Sequence, residues 1–187
     1  MIDEFTAQFE ALKGHVHTAD TPARAVACIL AVCEEAQATC LATAQLPQAI
    51  ETALRDAVAT TSLDLLTQPY AAKDLPLSID KAQVGVTGIV HAIAETGTLV
   101  EVTTNDATRL VSSLPRTHIG VFHERDFIHG LRESASTLRK IFTENDQDCV
   151  VSFLSGPSRT GDIEMRLTLG VHGPEIAHAL ILTGEEF

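Results

Sequence analysis

Within ten residues, Ser155-Gly156-Pro157-Ser158-Arg159-Thr160-Gly161-Asp162-Ile163-Glu164 gathers three hydroxyls, a guanidinium and two carboxylates. A buried-looking strand spelled Val150-Val151-Ser152-Phe153-Leu154 leads into this loop, and the spacing predicts a helix from about Gly161 to Leu169 that stops at Gly170. In open α/β sheets, ligands collect where the carboxyl end of a strand meets such a helix start. Free backbone N–H groups, the hydroxyls of Ser155, Ser158 and Thr160, and the cation of Arg159 suit a phosphate or a carboxylate. The same residues also have an architectural reading. Thr160 would be an N-cap, with Asp162 and Glu164 offsetting the dipole of the first turn and repelling a bare anion. The glycine, the proline and the number of hydroxyls exceed what a cap requires, which tips the balance toward a site.

Glu95 is the second candidate. It follows Ile89-Val90-His91-Ala92-Ile93-Ala94 and precedes Thr96-Gly97-Thr98, so a carboxylate ends an otherwise apolar run. An acid there must be paired, hydrogen-bonded or functional. Partial burial would raise its pKa and make it a general base or a nucleophile. Alternatively, Glu95 accepts hydrogen bonds from its neighbours and fixes the turn.

His15 and His17 lie two apart and share one face of a strand. A metal would need a third ligand from His91, His118, His123 or Asp106, whose relative positions nothing in the sequence fixes, so no metal site is expected. His172, in Val171-His172-Gly173-Pro174, either lies beside the Ser155 loop or is a turn residue. Cys28, Cys33, Cys40 and Cys149 form no C-x-x-C pair and read as small buried apolar groups, so no iron–sulfur cluster is expected on this chain alone. Walker A, G-x-G-x-x-G and G-x-S-x-G patterns are absent, which disfavours the nucleotide and hydrolase chemistries they serve.

These residues need elements to position them. Ile2, Phe5, Phe9 and Leu12 predict an amphipathic helix over 1–14 that ends at Gly14. Thr21-Pro22-Ala23 caps a second helix running through Ala38. Short strands at Cys40–Thr43 and Leu63–Leu66 flank a helix from Pro47 to Ala59. Gly85, Gly88 and Gly97 punctuate β-branched runs from Val84 to Thr104, as tight turns between paired strands do. Further strands fall at His118–Phe122 and Ala177–Leu182, with a helix from about Asp126 to Phe142 between them, most of its apolar face marked by Phe127, Leu131, Leu138, Ile141 and Phe142. The alternation is that of a layered α/β fold.

The chain has 187 residues, 45% hydrophobic and 20% charged, and no linker interrupts it, so one domain over 1–187 is expected. Against 25 acidic residues there are 13 Lys and Arg, giving a net charge of -12 with no basic run, so nucleic acid is an unsuitable partner. No apolar stretch reaches about 18 residues and the opening MIDEFTAQFE is acidic, which points to a cytoplasmic protein without membrane insertion.

Five blocks resemble the recurring motifs of the LUD (lactate utilization) family. They are Gly85-Val86-Thr87-Gly88, Ala92 to Thr98, Ser155 to Thr160, Asp162-Ile163-Glu164 and Gly170-Val171-His172-Gly173-Pro174, in the family's order across roughly the last hundred residues. Gly161 departs from the alanine expected there, loosening the first helical turn by about 1 kcal/mol. The resemblance implies a three-layer fold of the CoA-transferase and ribose-phosphate isomerase type. It also implies an accessory role in oxidising L-lactate to pyruvate, beside an iron–sulfur LUD protein and a cysteine-rich subunit that carry the clusters. Carried onto this chain, its site comprises Glu95, Thr96, Ser155, Gly156, Ser158, Arg159, Thr160, Asp162 and Glu164, with His172 and Arg109 added. Two other functions stay open: a free-standing enzyme for an acyl-CoA or sugar phosphate using Glu95, and a sensor whose Ser155–Thr160 loop orders on binding.

Overall fold

The computed structural model describes residues 1–144, 149–160 and 168–187. In chain order these form α1 (Ile2–Ala11), β1 (His15–Ala19), α2 (Pro22–Glu35), β2 (Cys40–Ala44), α3 (Gln48–Val58), β3 (Asp64–Leu66), β4 (Val84–Gly88), β5 (His91–Ile93), β6 (Thr98–Thr103) and α4 (Asp106–Ser113). There follow β7 (Thr117–His123), β8 (Phe127–Ile128), α5 (Leu131–Glu144), β9 (Val150–Leu154), β10 (Arg159–Thr160), β11 (Thr168–Leu169) and β12 (Ile176–Leu182). Single 3-10 turns occupy Ala72–Asp74 and Glu124–Asp126.

Six strands form a wholly parallel sheet in the order β1-β12-β7-β4-β2-β3. A smaller sheet runs β8-β5-β6-β9, in which β6 pairs antiparallel with both β5 and β9. Parallel strands must be covered on both faces, and here the covers differ. Ile29, Val32, Ile50 and Leu54 of α2 and α3 pack on Val84, Val86, Ile119, Val121 and Leu180. The opposite face meets Phe5 and Phe9 of α1 and Ala92 and Leu99 of the small sheet, through Phe122, Ala179 and Ile181. Farther along it meets Ala107 and Val111 of α4, through Ala42 and Ala44. The result is three layers: helices, large sheet, then small sheet with α1 and α4. This agrees with the α/β expectation.

Local signals explain most boundaries. Thr21 accepts a hydrogen bond from the Arg24 N–H at 3.4 Å and Pro22 opens α2, as its sequence requires. Phe5 and Phe9 are fully buried, so α1 belongs to the core.

Three expectations need correction, and one helix has no counterpart among them. Helix α5 begins at Leu131, because Phe127, counted on its apolar face, instead pairs with Ala92 as part of β8 and packs edge-on against Phe5 and Phe122. Helix α4 was not foreseen from the sequence; Asn105 caps it, accepting the Thr108 N–H at 3.0 Å. Residues Gly161, Asp162 and Glu164 lie outside the described residues, but Thr168–Leu169 pairs antiparallel with Arg159–Thr160, so no helix runs to Gly170. Strand β9, read as buried, is an edge strand with Phe153 47% exposed.

Candidate functional site

A groove of about 340 Å³ gathers residues that the sequence keeps far apart. Helix α4 supplies Arg109, Ser112 and Ser113; β9 and the loop after it supply Ser152, Ser155, Gly156 and Ser158; His172 and Gly173 close it from the segment before β12. Backbone bonds pin these pieces together. The Ser158 N–H donates to the Pro174 carbonyl at 2.8 Å, and the Gly170 N–H donates to the Ser158 carbonyl at 3.0 Å. Gly156 takes φ +87°, and a Cβ there would stand 2.8 Å from the Leu12 carbonyl, so only glycine lets this loop run against the end of α1.

Five of the expected site residues therefore meet: Arg109, Ser155, Gly156, Ser158 and His172. Others do not. Arg159 is exposed and its Nη2 donates to the Leu12 carbonyl, which fixes the carboxyl end of α1 instead of facing a ligand. Thr160 is held in the β10–β11 ladder. Glu95 is exposed at the β5–β6 turn, its N–H donating to the His129 carbonyl at 2.9 Å, so the partial burial expected of it is absent. Thr96 and Thr98 do link that turn to the groove, through hydroxyl contacts of 2.7 Å between themselves and 2.8 Å from Thr98 to Ser155. The supposed strand-end position also changes meaning. β9 belongs to the small sheet, where it pairs antiparallel with β6, and the groove opens beside the segments that lead into β7 and β12, at their amino ends.

The buried acid is six residues beyond Glu95. Glu101 has no exposure. Thr87 donates to its Oε1 at 2.7 Å and Ser112 to its Oε2 at 2.8 Å. Thr87 Oγ1 also lies 2.9 Å from His118 Nε2. A threonine hydroxyl has one proton, so while it serves the carboxylate, His118 must donate to it through Nε2. Burial pushes the Glu101 carboxyl up, partly offset by the bonds from Thr87 and Ser112. Burial pushes the His118 imidazole down to about 4. The network bridges the large sheet, the small sheet and α4, and Ser112 is where it reaches the groove. The sequence signal was present in Leu99-Val100-Glu101-Val102, a charge inside a more apolar setting than that of Glu95.

The groove is rich in hydroxyls and only weakly cationic. Arg109 is bridged to Asp106 at 2.6 Å, and the Arg109 carbonyl near the end of α4 accepts from Ser113 at 2.6 Å, while the Ser112 hydroxyl, whose one proton serves Glu101, lies 3.1 Å from it. Carbonyls at a helix end repel negative charge. Such a surface disfavours a polyphosphate.

His15 and His17 do acquire a third imidazole, but it is His178 of β12, none of the partners expected. His17 Nε2 meets His178 Nδ1 at 2.9 Å, and the His15 ring stacks on His178 with centroids 4.9 Å apart. Stacked rings do not aim their lone pairs at one point. Among the described residues, no group of three or more His, Cys, Asp and Glu is placed to hold a metal ion. All four cysteines are free, and burial pushes the Cys33 thiol up to about 12. Among the described residues, no helix is long and apolar enough to cross a membrane.

The LUD domain profile matches residues 2–182. Lactate utilization protein C of Shouchella clausii (strain KSM-K16) is 34% identical over 116 residues, covering 58% of this chain and 51% of that protein. Lactate utilization protein C of Bacillus subtilis (strain 168) is 30% identical over 105 residues, covering 56% of this chain and 44% of that one. The chain thus spans about half the length of the curated relatives it matches. A crystal structure of a DUF162 family protein from Deinococcus radiodurans superposes with a TM-score of 0.67 at 20% identity, covering 97% of this chain and 95% of that one, which shows a common fold.

Proposed function

Because the chain belongs to the LUD domain family, we propose that it serves lactate utilisation as a subunit without a cluster of its own, binding a small hydroxy acid in the Arg109–Ser155–His172 groove. In this reading it works in the cytoplasm, beside an iron–sulfur LUD protein and a cysteine-rich subunit that carry the electrons of lactate oxidation. The observation that supports it best is the convergence of Arg109, Ser112, Ser155, Ser158 and His172 on one groove. Arg109 pairs with the carboxylate, and the serines take up the hydroxyl. A free-standing CoA-transferase-like or sugar-phosphate enzyme using Glu95 has less support, since Glu95 is exposed and lies outside the groove lining.

Calorimetric titration with L-lactate tests the reading, with propionate as the analogue lacking the hydroxyl. The expected result is saturable binding that Arg109→Gln weakens at least about tenfold, with propionate bound less tightly than lactate. Equal affinity of the wild-type chain and Arg109→Gln would remove the groove from the proposal. Affinity purification from the native source under anoxic conditions tests the assembly: recovery of the chain without iron–sulfur proteins would count against the subunit role.

A further inference from the structure

A second and larger cavity, about 620 Å³, opens at the opposite end of the large sheet from the groove, at the carboxyl ends of β2, β4, β7 and β12. Its position follows from the topology. After β2 the chain passes through α3 to β3, on the helical face and toward one edge. After β4 it passes through the small sheet and α4 to β7, on the opposite face and in the opposite direction. The two connections part between Gln45–Leu46 and Gly88–Ile89, leaving a crevice of the kind in which parallel sheets bind ligands.

The backbone at this crevice is specialised. Gln45 takes φ +56°, a conformation that disfavours non-glycine residues and persists only where its surroundings hold it. Its N–H is held by Gln68 Oε1 at 3.0 Å. A Cβ on Gly88 would stand 2.0 Å from the Gln45 carbonyl, so the two walls approach only because residue 88 is glycine. On the other wall, His123 fixes the turn after β7. Its Nδ1 accepts the Arg125 N–H at 3.1 Å, its Nε2 donates to the Gly184 carbonyl at 2.8 Å, and its own N–H donates to Asp126 at 3.2 Å. These bonds hold the backbone of Arg125, while its guanidinium forms no ion pair or hydrogen bond among the described residues. In a chain with 25 acidic and 13 basic residues, a cation left unmatched at the mouth of a cavity is an available anion contact.

We propose that this crevice is a second binding site, for an organic monoanion whose acidic group pairs with Arg125 and whose apolar body lies against Ile89, Val90, Val102 and Leu182. The volume falls in the range of small-molecule pockets and greatly exceeds what lactate would fill. One arginine with Asp126 beside it suits a single negative charge and not a polyphosphate. Gln45 and Gln48 line the same cavity and bring polar donors and acceptors to it. The site does not depend on the lactate reading, because it shares no lining residue with the groove.

Titration of the full chain with 2-naphthoate, and with neutral 2-naphthamide, tests it. Saturable binding of naphthoate is expected, weakened at least about tenfold by Arg125→Gln and by Val90→Glu, with the amide binding at least about tenfold less tightly than the acid. Unchanged thermal midpoints in both variants establish that the fold is intact. The proposal is overturned by no saturable naphthoate binding below about 10 mM. It is equally overturned by affinities that neither variant alters, or by an equal loss in Arg109→Gln, which would move the anion to the groove.

Discussion

Ser112 donates its hydroxyl proton to Oε2 of Glu101 across 2.8 Å, so one serine in the groove wall rests on a carboxylate fully shielded from water. A charge so placed depends on its donors. Ser112→Ala removes one of two and is expected to cost about 1–2 kcal/mol. Burial has already raised the Glu101 pKa above its unfolded value, so the ionised form is the strained one, and it predominates above that raised pKa. The loss in Ser112→Ala, read from urea unfolding, should be larger at pH 8 than at pH 5. An identical loss at both would mean that Ser112 does not act through the carboxylate's charge.

Acid should destabilise the fold through two histidines. Burial lowers His118 from 6.5 to about 4; burial, followed by the charges of His17, His15 and His118, lowers His178 to about 3. The unfolded chain takes up these protons near pH 6.5 and the native chain does not. Stability is therefore complete above pH 6.5 and falls as the pH drops toward 4 and 3. At pH 5 each imidazole contributes a loss of roughly 2 kcal/mol, which the raised pKa of Glu101 opposes in part. His17, lowered chiefly by burial, works in the same direction, and Glu35 acts against it. Urea midpoints at pH 7 and pH 5 check this, and a midpoint that does not move would contradict the buried neutral imidazoles.

Glycine 85 should tolerate no side chain. A Cβ there would lie 2.0 Å from the Val111 carbonyl, on the helix that carries Arg109 and Ser112. Gly85→Ala is expected to cost at least about 2 kcal/mol and to weaken lactate binding by displacing α4. At Gly173 the nearest atom is Ser158 Cβ at 3.3 Å, so Gly173→Ala should cost less than about 1 kcal/mol. Thermal unfolding of the two variants side by side decides it.

Phe5 stacks on Phe9 at 5.3 Å and meets Phe122 and Phe127 edge-on, joining α1 to both sheets. Phe5→Ala should cost about 3–5 kcal/mol. Because Arg159 and Gly156 press on Leu12 just after α1, the same substitution should speed amide exchange in the Ser155–Ser158 loop. Exchange confined to α1 would show that the helix and the loop are not coupled.

What could be read in the sequence was what short-range pattern controls. Apolar spacing in α1 and α2, the Thr21-Pro22 start and the β-branched runs of the large sheet identify their elements correctly, and the glycine-punctuated LUD blocks identify the family. What escaped depended on tertiary partners. Asn105 is a good cap, but Asp106 to Ser113 carries too few apolar residues to announce a helix, and its contacts come from β4, β2, β7 and β6. Phe127 fits a helical face as well as a strand until Phe5 and Phe122 are seen beside it. The criterion of an acid in an apolar setting was sound, but Glu95 ends its run and is exposed, while Glu101 sits within one. The crevice at Gln45 and Gly88 required knowing that β4 lies between β2 and β7, which no local pattern encodes.

Strand β12 follows every other described strand in sequence, yet it sits between β1 and β7, with His178 pairing His15 on one side and Ile119 on the other. During synthesis, β1 and β7 therefore emerge with unsatisfied edges and wait for Ile176–Leu182 before the large sheet can become continuous. A nascent chain stalled before β12 presents two open strand edges, the surfaces through which incomplete chains associate. Sequence separations this long also predict slow final assembly. Addition of β12 is thus the step that joins β1 to β7 and makes the six-stranded sheet continuous.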